Sequence, residues 1–100
     1  MANEIVFIGD EVAAAGFRLA GAAVRVPASG AETAALREET GRAALVLIAR
    51  AAAEHVDPRE LARALASPRP LVMVLPDAAG LPPAVDVAAR VRLQLGIGQT

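Results

Sequence analysis

The chain of 100 residues has no cysteine, no lysine, no tryptophan and no tyrosine, and its aromatics are two phenylalanines, Phe7 and Phe17. Without cysteine there is no disulfide framework, no thiolate metal site and no thiol nucleophile, and the reducing cytoplasm is the expected compartment. The basic side chains are ten scattered arginines and one histidine, and the net charge is −1. No like-charged block is present, so no phosphate-tracking surface is expected. Two phenylalanines, one of them inside a strand-like run, are too few to stack bases, which leaves nucleic acid out as a partner. No uncharged apolar stretch approaches the roughly 20 residues of a membrane span. The start, Met1 to Glu4, carries an acid and is followed by only four apolar residues before Gly9, so no signal peptide is expected there.

What the chain has in excess is alanine, twenty-five residues in a sequence that is 55% apolar. Alanine favours helix and lets helices lie close to a sheet, but each contributes little buried area. A partner can therefore supply burial that the chain lacks. The length predicts a single domain over residues 1–100.

Four short apolar runs alternate with longer helix-like segments: Ile5 to Ile8, Ala23 to Val26, Ala44 to Ala49 and Leu71 to Leu75. Three are continuously apolar and rich in β-branched residues, the pattern of parallel strands covered on both faces. The second carries Arg25 and is stopped by Pro27, so it is expected at a sheet edge. Asp10 is placed to cap a helix from Glu11 to about Ala20. Ser29 and Glu32 stand at capping-box spacing and predict a helix through about Gly41. Asp57-Pro58-Arg59-Glu60 supplies an N-cap carboxylate, a proline at the first helical position and a glutamate at the third. Pro82 and Pro83 open a last helix, about 83–96, closed by Gly96. The expected fold is α/β: a four-stranded parallel sheet of order 2-1-3-4 with helices on both faces, receiver-like or Rossmann-like.

In such a sheet the switch point lies between the first and third strands at their carboxyl ends, and Asp10 and Glu11 fall there. A phosphate-accepting receiver domain needs acidic residues at this place, an aspartate after the third strand and a lysine. The third strand instead ends Ile48-Ala49-Arg50, and the chain has no lysine. Two negative charges after Gly9 are also wrong for a pyrophosphate, and neither a Gly-x-Gly-x-x-Gly pattern nor a P-loop is present. Two adjacent carboxylates make a weak metal site. Asp10 and Glu11 are expected to serve the helix, each contributing on the order of 1 kcal/mol. His55, with no serine, cysteine or second histidine assignable beside it, is expected at the surface or a helix end. Arg50 is expected to be solvated. No catalytic residue, cofactor or metal is predicted.

The segments Gly9-Asp10-Glu11 and Gly16-Phe17-Arg18-Leu19-Ala20-Gly21 resemble the F subunit of the V-type (A/V-type) ATPases. The resemblance continues through Leu45-Val46-Leu47-Ile48, the strand Leu71-Val72-Met73-Val74-Leu75-Pro76 and an ending Leu95-Gly96-Ile97. The Gly-Phe-Arg-Leu-Ala-Gly segment is its most specific part. It implies a small α/β component of the rotor's central stalk, without an active site, clasped to the coiled-coil D subunit and near the catalytic A/B hexamer. It places the chain in the cytoplasm, peripheral to the membrane, with no small-molecule substrate. The tail Gly98-Gln99-Thr100 departs from the apolar and charged ending of that family. A degenerate receiver-like regulatory module without phosphotransfer is the alternative.

Three features bear on a partner. Gly16 interrupts an alanine run at a cost of about 1 kcal/mol, and the missing Cβ admits either the sheet beneath or a partner helix above. Phe17 and Arg18 follow on adjacent faces, so one can face the core while the other reaches outward. In the last helix Asp86, Arg90 and Gln94 form one polar stripe, while Val87, Val91 and Leu95 belong to an apolar arc roughly twice the approximately 100° a surface helix needs. Part of that arc is available to dock elsewhere, unless exposed alanines merely widen it. The fourth strand, Leu-Val-Met-Val-Leu, is an uncharged edge that something must cover. The expected partner-binding residues are Gly16, Phe17, Arg18, Val87, Val91 and Leu95.

Overall fold

The computed structural model describes residues 4–76. Four strands, β1 (Ile5–Ile8), β2 (Ala23–Arg25), β3 (Leu45–Ala49) and β4 (Leu71–Leu75), form one parallel sheet of order β2-β1-β3-β4. The α/β architecture and the strand order are those expected from the alternation of apolar runs. β1 is buried along its whole length and β3 along all but its last residue. The registers Phe7 opposite Leu47 and Ile8 opposite Ile48 place like-facing apolar side chains side by side.

Because side chains alternate along a strand, the sheet separates two cores. On one face Phe7, Leu45 and Leu47 pack with Ala14 and Phe17 of α1 (Glu11–Leu19). On the other, Ile8, Val46, Ile48 and Val72 pack with Leu36 of α2 (Glu32–Thr40) and with Ala53 and Val56. Ala53 closes α3 (Arg50–Ala53), and Leu61 and Ala64 of α4 (Pro58–Ala66) pack at the edge of the same core. α1 therefore lies on one face, and α2, α3 and α4 on the other.

Helix starts follow the sequence in two cases and depart from it in a third. Asp10 Oδ1 accepts the Ala13 N–H at 2.8 Å and Glu11 lies in the first turn. Asp57 accepts the N–H of Arg59 at 2.9 Å and of Glu60 at 3.4 Å, with Pro58 at the head of α4. The expected cap at Ser29 is corrected: the N-cap is Ala31, with no side-chain cap bond. Gly30 has φ of +91°, a left-handed turn that separates Ser29 from the helix. Glu32 still reaches back, its Oε1 accepting the Gly30 N–H at 2.9 Å. The one-turn α3 has no signal in the sequence, since four residues of Arg50-Ala51-Ala52-Ala53 carry no helical period. The expected last helix, about 83–96, lies outside the described residues.

One buried polar knot ties β2 to α2. Glu39 is 1% exposed. Its Oε2 accepts from Arg25 Nη1 at 2.8 Å, and its Oε1 accepts from Arg42 Nε at 2.9 Å. Arg25 also pairs with Glu38 at 2.7 Å. Burial raises the Glu39 pKa, but hydrogen bonds from Arg42 and Arg25 outweigh it and the net direction is downward. A carboxyl held below its unfolded pKa stabilises the fold above that pKa and loses the contribution as pH falls through the folded value. Glu39→Gln is expected to lower stability by about 2 kcal/mol at neutral pH. In denaturant titrations the gap between wild type and variant should hold down to about pH 5, then narrow as the medium falls below the ordinary glutamate value of about 4.3. A gap that does not change with pH would remove the charge from the account.

Candidate partner-binding surface

At the carboxyl ends of β1 and β3, where doubly wound sheets place their ligands, a crevice of about 310 Å³ is lined by Asp10, Glu11, Glu32 and His55 with Gly9 and Ala49. Its polar groups have local tasks. Asp10 caps α1, Glu32 takes the Gly30 N–H, and Glu11 pairs with Arg18 at 3.4 Å. The position after β3 is Arg50, whose Nε lies 3.6 Å from Glu54 Oε2. His55 is exposed. Among the described residues no three histidine, aspartate or glutamate side chains are grouped to hold a metal ion. A second concavity of about 410 Å³ lies between α2 and α4, bridged by the ion pair of Arg37 with Glu60.

Gly9 has a steric role in the Gly-Asp-Glu segment. A Cβ there would stand 2.7 Å from Phe7 Cε2 and 3.1 Å from Ala49 Cβ. The Phe7 ring can give way only by disturbing its stack on Phe17, whose centroid lies 4.3 Å away with the planes 9° from parallel. Phe17 is thus a core residue, 4% exposed, and of the two directions open to it the inward one holds. Gly16 is half-buried and Arg18 exposed. Gly21 ends α1 with φ of +92°. Its N–H reaches Arg18 O at 3.1 Å and the Ala22 N–H reaches Phe17 O at 3.0 Å, the paired bonds of a Schellman stop. In Gly-Phe-Arg-Leu-Ala-Gly, then, the phenylalanine anchors the helix and the last glycine terminates it. Val87, Val91 and Leu95 lie outside the described residues.

Two residues of α1 stand out only in the structure. Val12 is 87% exposed and Leu19 86%, the most exposed of the large apolar side chains among the described residues. They are seven apart and opposite Ala14 and Phe17, so their period becomes visible once the inward face is known.

These features define a small doubly wound α/β domain whose switch-point carboxylates are spent on local structure, with apolar side chains displayed on the outside of α1. The chain belongs to the family of the ATP synthase (F/14-kDa) subunit, whose model matches residues 5–91. That agrees with the resemblance to the F subunit of the V-type ATPases. A comparison with curated proteins returns no match. Among the described residues no helix is long and apolar enough to cross a membrane.

Gly9→Ala is expected to destabilise the fold by about 2 kcal/mol through overpacking against the Phe7 ring, read as a lower midpoint in urea with an unchanged slope. An unaltered midpoint would show that the stacked rings yield freely.

Proposed function

We propose that the chain is a non-catalytic central-stalk subunit of a V/A-type rotary ATPase. In this role it binds the coiled-coil D subunit and helps transmit torque between ATP chemistry in the catalytic A/B hexamer and ion movement at the membrane. The observation that supports this best is the condition of the switch-point crevice in a member of a family of ATP synthase subunits. Oxygens of Asp10 and Glu32 are held by backbone N–H groups, Glu11 pairs with Arg18, and Arg50 occupies the position a phosphate-accepting aspartate would need. The crevice thus offers structure where a nucleotide or phosphoryl site would offer chemistry.

The partner-binding role falls to surface. Gly16 and Arg18 flank the outer side of α1, while Phe17 acts from beneath by fixing the helix on the sheet. Val87, Val91 and Leu95 join them through the apolar arc in the sequence of the C-terminal segment. Helix packing against a coiled coil gives a joint that turns as one body. The proposed place is the cytoplasmic side of the membrane, peripheral to it, with no nucleic acid, cofactor or small-molecule substrate.

Co-expression with a candidate coiled-coil D subunit should yield a stable one-to-one complex on size exclusion. Absence of association at micromolar concentration would overturn the proposal. Phosphate uptake from a small phosphodonor, or a melting temperature raised by Mg²⁺, would favour the receiver-like regulatory module in its place.

A further inference from the structure

α1 carries on its outer side a seam that its own domain does not use. With Phe17 turned straight onto the sheet, the helical period sends Val12, Ala15 and Leu19 directly away from it. Val12 is 87% and Leu19 86% exposed, and Ala15 between them is exposed as well. Isolated exposed apolar residues need no explanation. Here the two most exposed are one heptad apart, with a small residue midway. In heptad terms Val12, Ala15 and Leu19 are a, d and a, Gly16 is e, and Glu11 and Arg18 are successive g positions.

The flanks specify the occupant. Glu11 and Arg18 bond each other across two turns at 3.4 Å with 71% and 55% of their side chains in water, a weak pair easily exchanged for new ones. They present an acid at the N-terminal end of the seam and a base at its C-terminal end. On the opposite flank Gly16 carries no side chain, so a neighbouring backbone can come close there. Size narrows the choice further. The nine residues of α1 span roughly 14 Å and, on a helix about 10 Å across, offer a footprint on the order of 140 Å², far short of the about 800 Å² per partner that a stable complex buries. Two copies joined only through α1 would not hold. The seam suits a longer helix that continues past both ends of α1 and contacts other parts of the domain.

We infer that the outer face of α1 is a docking seam for one helix of a coiled coil. That helix carries small or aliphatic residues at heptad spacing opposite Val12, Ala15 and Leu19, a basic residue facing Glu11 and an acidic residue facing Arg18. The inference deepens the proposed function and rests on it, since it takes the coiled-coil component of the rotor as the owner of that helix. It adds the residues and the order of charges along the seam.

The cysteine-free chain makes the test direct. In the full-length protein Leu19→Cys should react with a maleimide as fast as a free exposed thiol, and co-expression with the coiled-coil partner should slow it at least tenfold. Val12→Asp together with Leu19→Asp should weaken the complex about 100-fold, the scale of truncated interface anchors, with the melting temperature of the isolated chain unchanged. Leu65→Asp, on the exposed side of α4, should leave affinity unchanged. Exchanging the charges, Glu11→Arg with Arg18→Glu, opposes the α1 dipole and should lower the melting temperature of the isolated chain, and at a temperature where that variant is still folded it should bind the partner more weakly than the wild type.

Wild-type binding that is indifferent to the Val12 and Leu19 changes would overturn the seam while leaving the proposed function standing. Failure of the wild type to bind would overturn both. Slow labelling of Leu19→Cys in the isolated chain at low concentration would show that residues 77–100 cover the seam. Slow labelling only at high concentration would show a second copy there. Either result would overturn the assignment.

Discussion

The two phenylalanine rings of the chain lie against each other, and the orientation of α1 follows from that contact. Phe7 comes from the middle of β1 and Phe17 from the helix that returns over it, with ring centroids 4.3 Å apart. A stacked pair contributes about 1 kcal/mol beyond its buried area, but its larger effect is geometric. Alanine at Ala13, Ala14 and Ala20 could be accommodated over a range of helix rotations, whereas a ring fitted to a ring cannot. Gly9 belongs to the same unit because a Cβ there would enter the space of the Phe7 ring. Gly21 completes it by ending the helix in a left-handed residue and turning the chain into β2. Once Phe17 is fixed inward, no freedom remains in which residues face outward.

Charge is arranged with the same asymmetry. The face covered by α2, α3 and α4 holds the ion pairs that join elements distant in sequence: Arg25 with Glu38 and Glu39, and Arg37 with Glu60. Glu39 can be buried only because two guanidinium groups meet it. An unpaired carboxylate there would cost several kcal/mol. The α1 face has one exposed pair among the described residues, Glu11 with Arg18, both on the helix itself. Apolar contact holds both sides of the sheet, and polar cross-bracing between elements is added on one of them. A side held by apolar contact can extend its packing outward to a second layer without leaving buried charge unsatisfied.

The strands are legible in the sequence because parallel strands buried on both faces must be continuously apolar, and Ile5-Val6-Phe7-Ile8 and Leu45-Val46-Leu47-Ile48 are. Asp10 and Asp57 are legible as caps because their requirement is local, a carboxylate within three residues of free N–H groups. Ser29 meets the same spacing rule and fails to cap, since a left-handed Gly30 intervenes and spacing carries no dihedral angle. The Glu39 knot is not legible. Arg25 signals an edge strand correctly, but its partner stands fourteen residues away on α2, and only the fold brings them together. The structural part played by the acidic pair follows from its position ahead of a helix. On α1 the sequence draws attention to Gly16, Phe17 and Arg18. The outermost positions, Val12 and Leu19, become evident only when the structure fixes the direction of Phe17.

The proposed central-stalk role requires a stiff path from the sheet to the helix that docks on it. Long side chains ending in water make a poor path, because they reorient at little cost. Close-packed short ones make a good path, since displacing any of them opens a void or forces a clash. From β1 outward the elements here are Phe7, the Phe17 ring upon it, the α1 backbone, and then Val12, Ala15 and Leu19 on the far side. None of them is a long charged chain. The flexible arginines stand beside this line, Arg18 at its flank and Arg25, Arg37 and Arg42 on the opposite face of the sheet. In a chain whose every strong cation is an arginine, their absence from the axis through α1 leaves one direction in which load can pass through packed atoms alone.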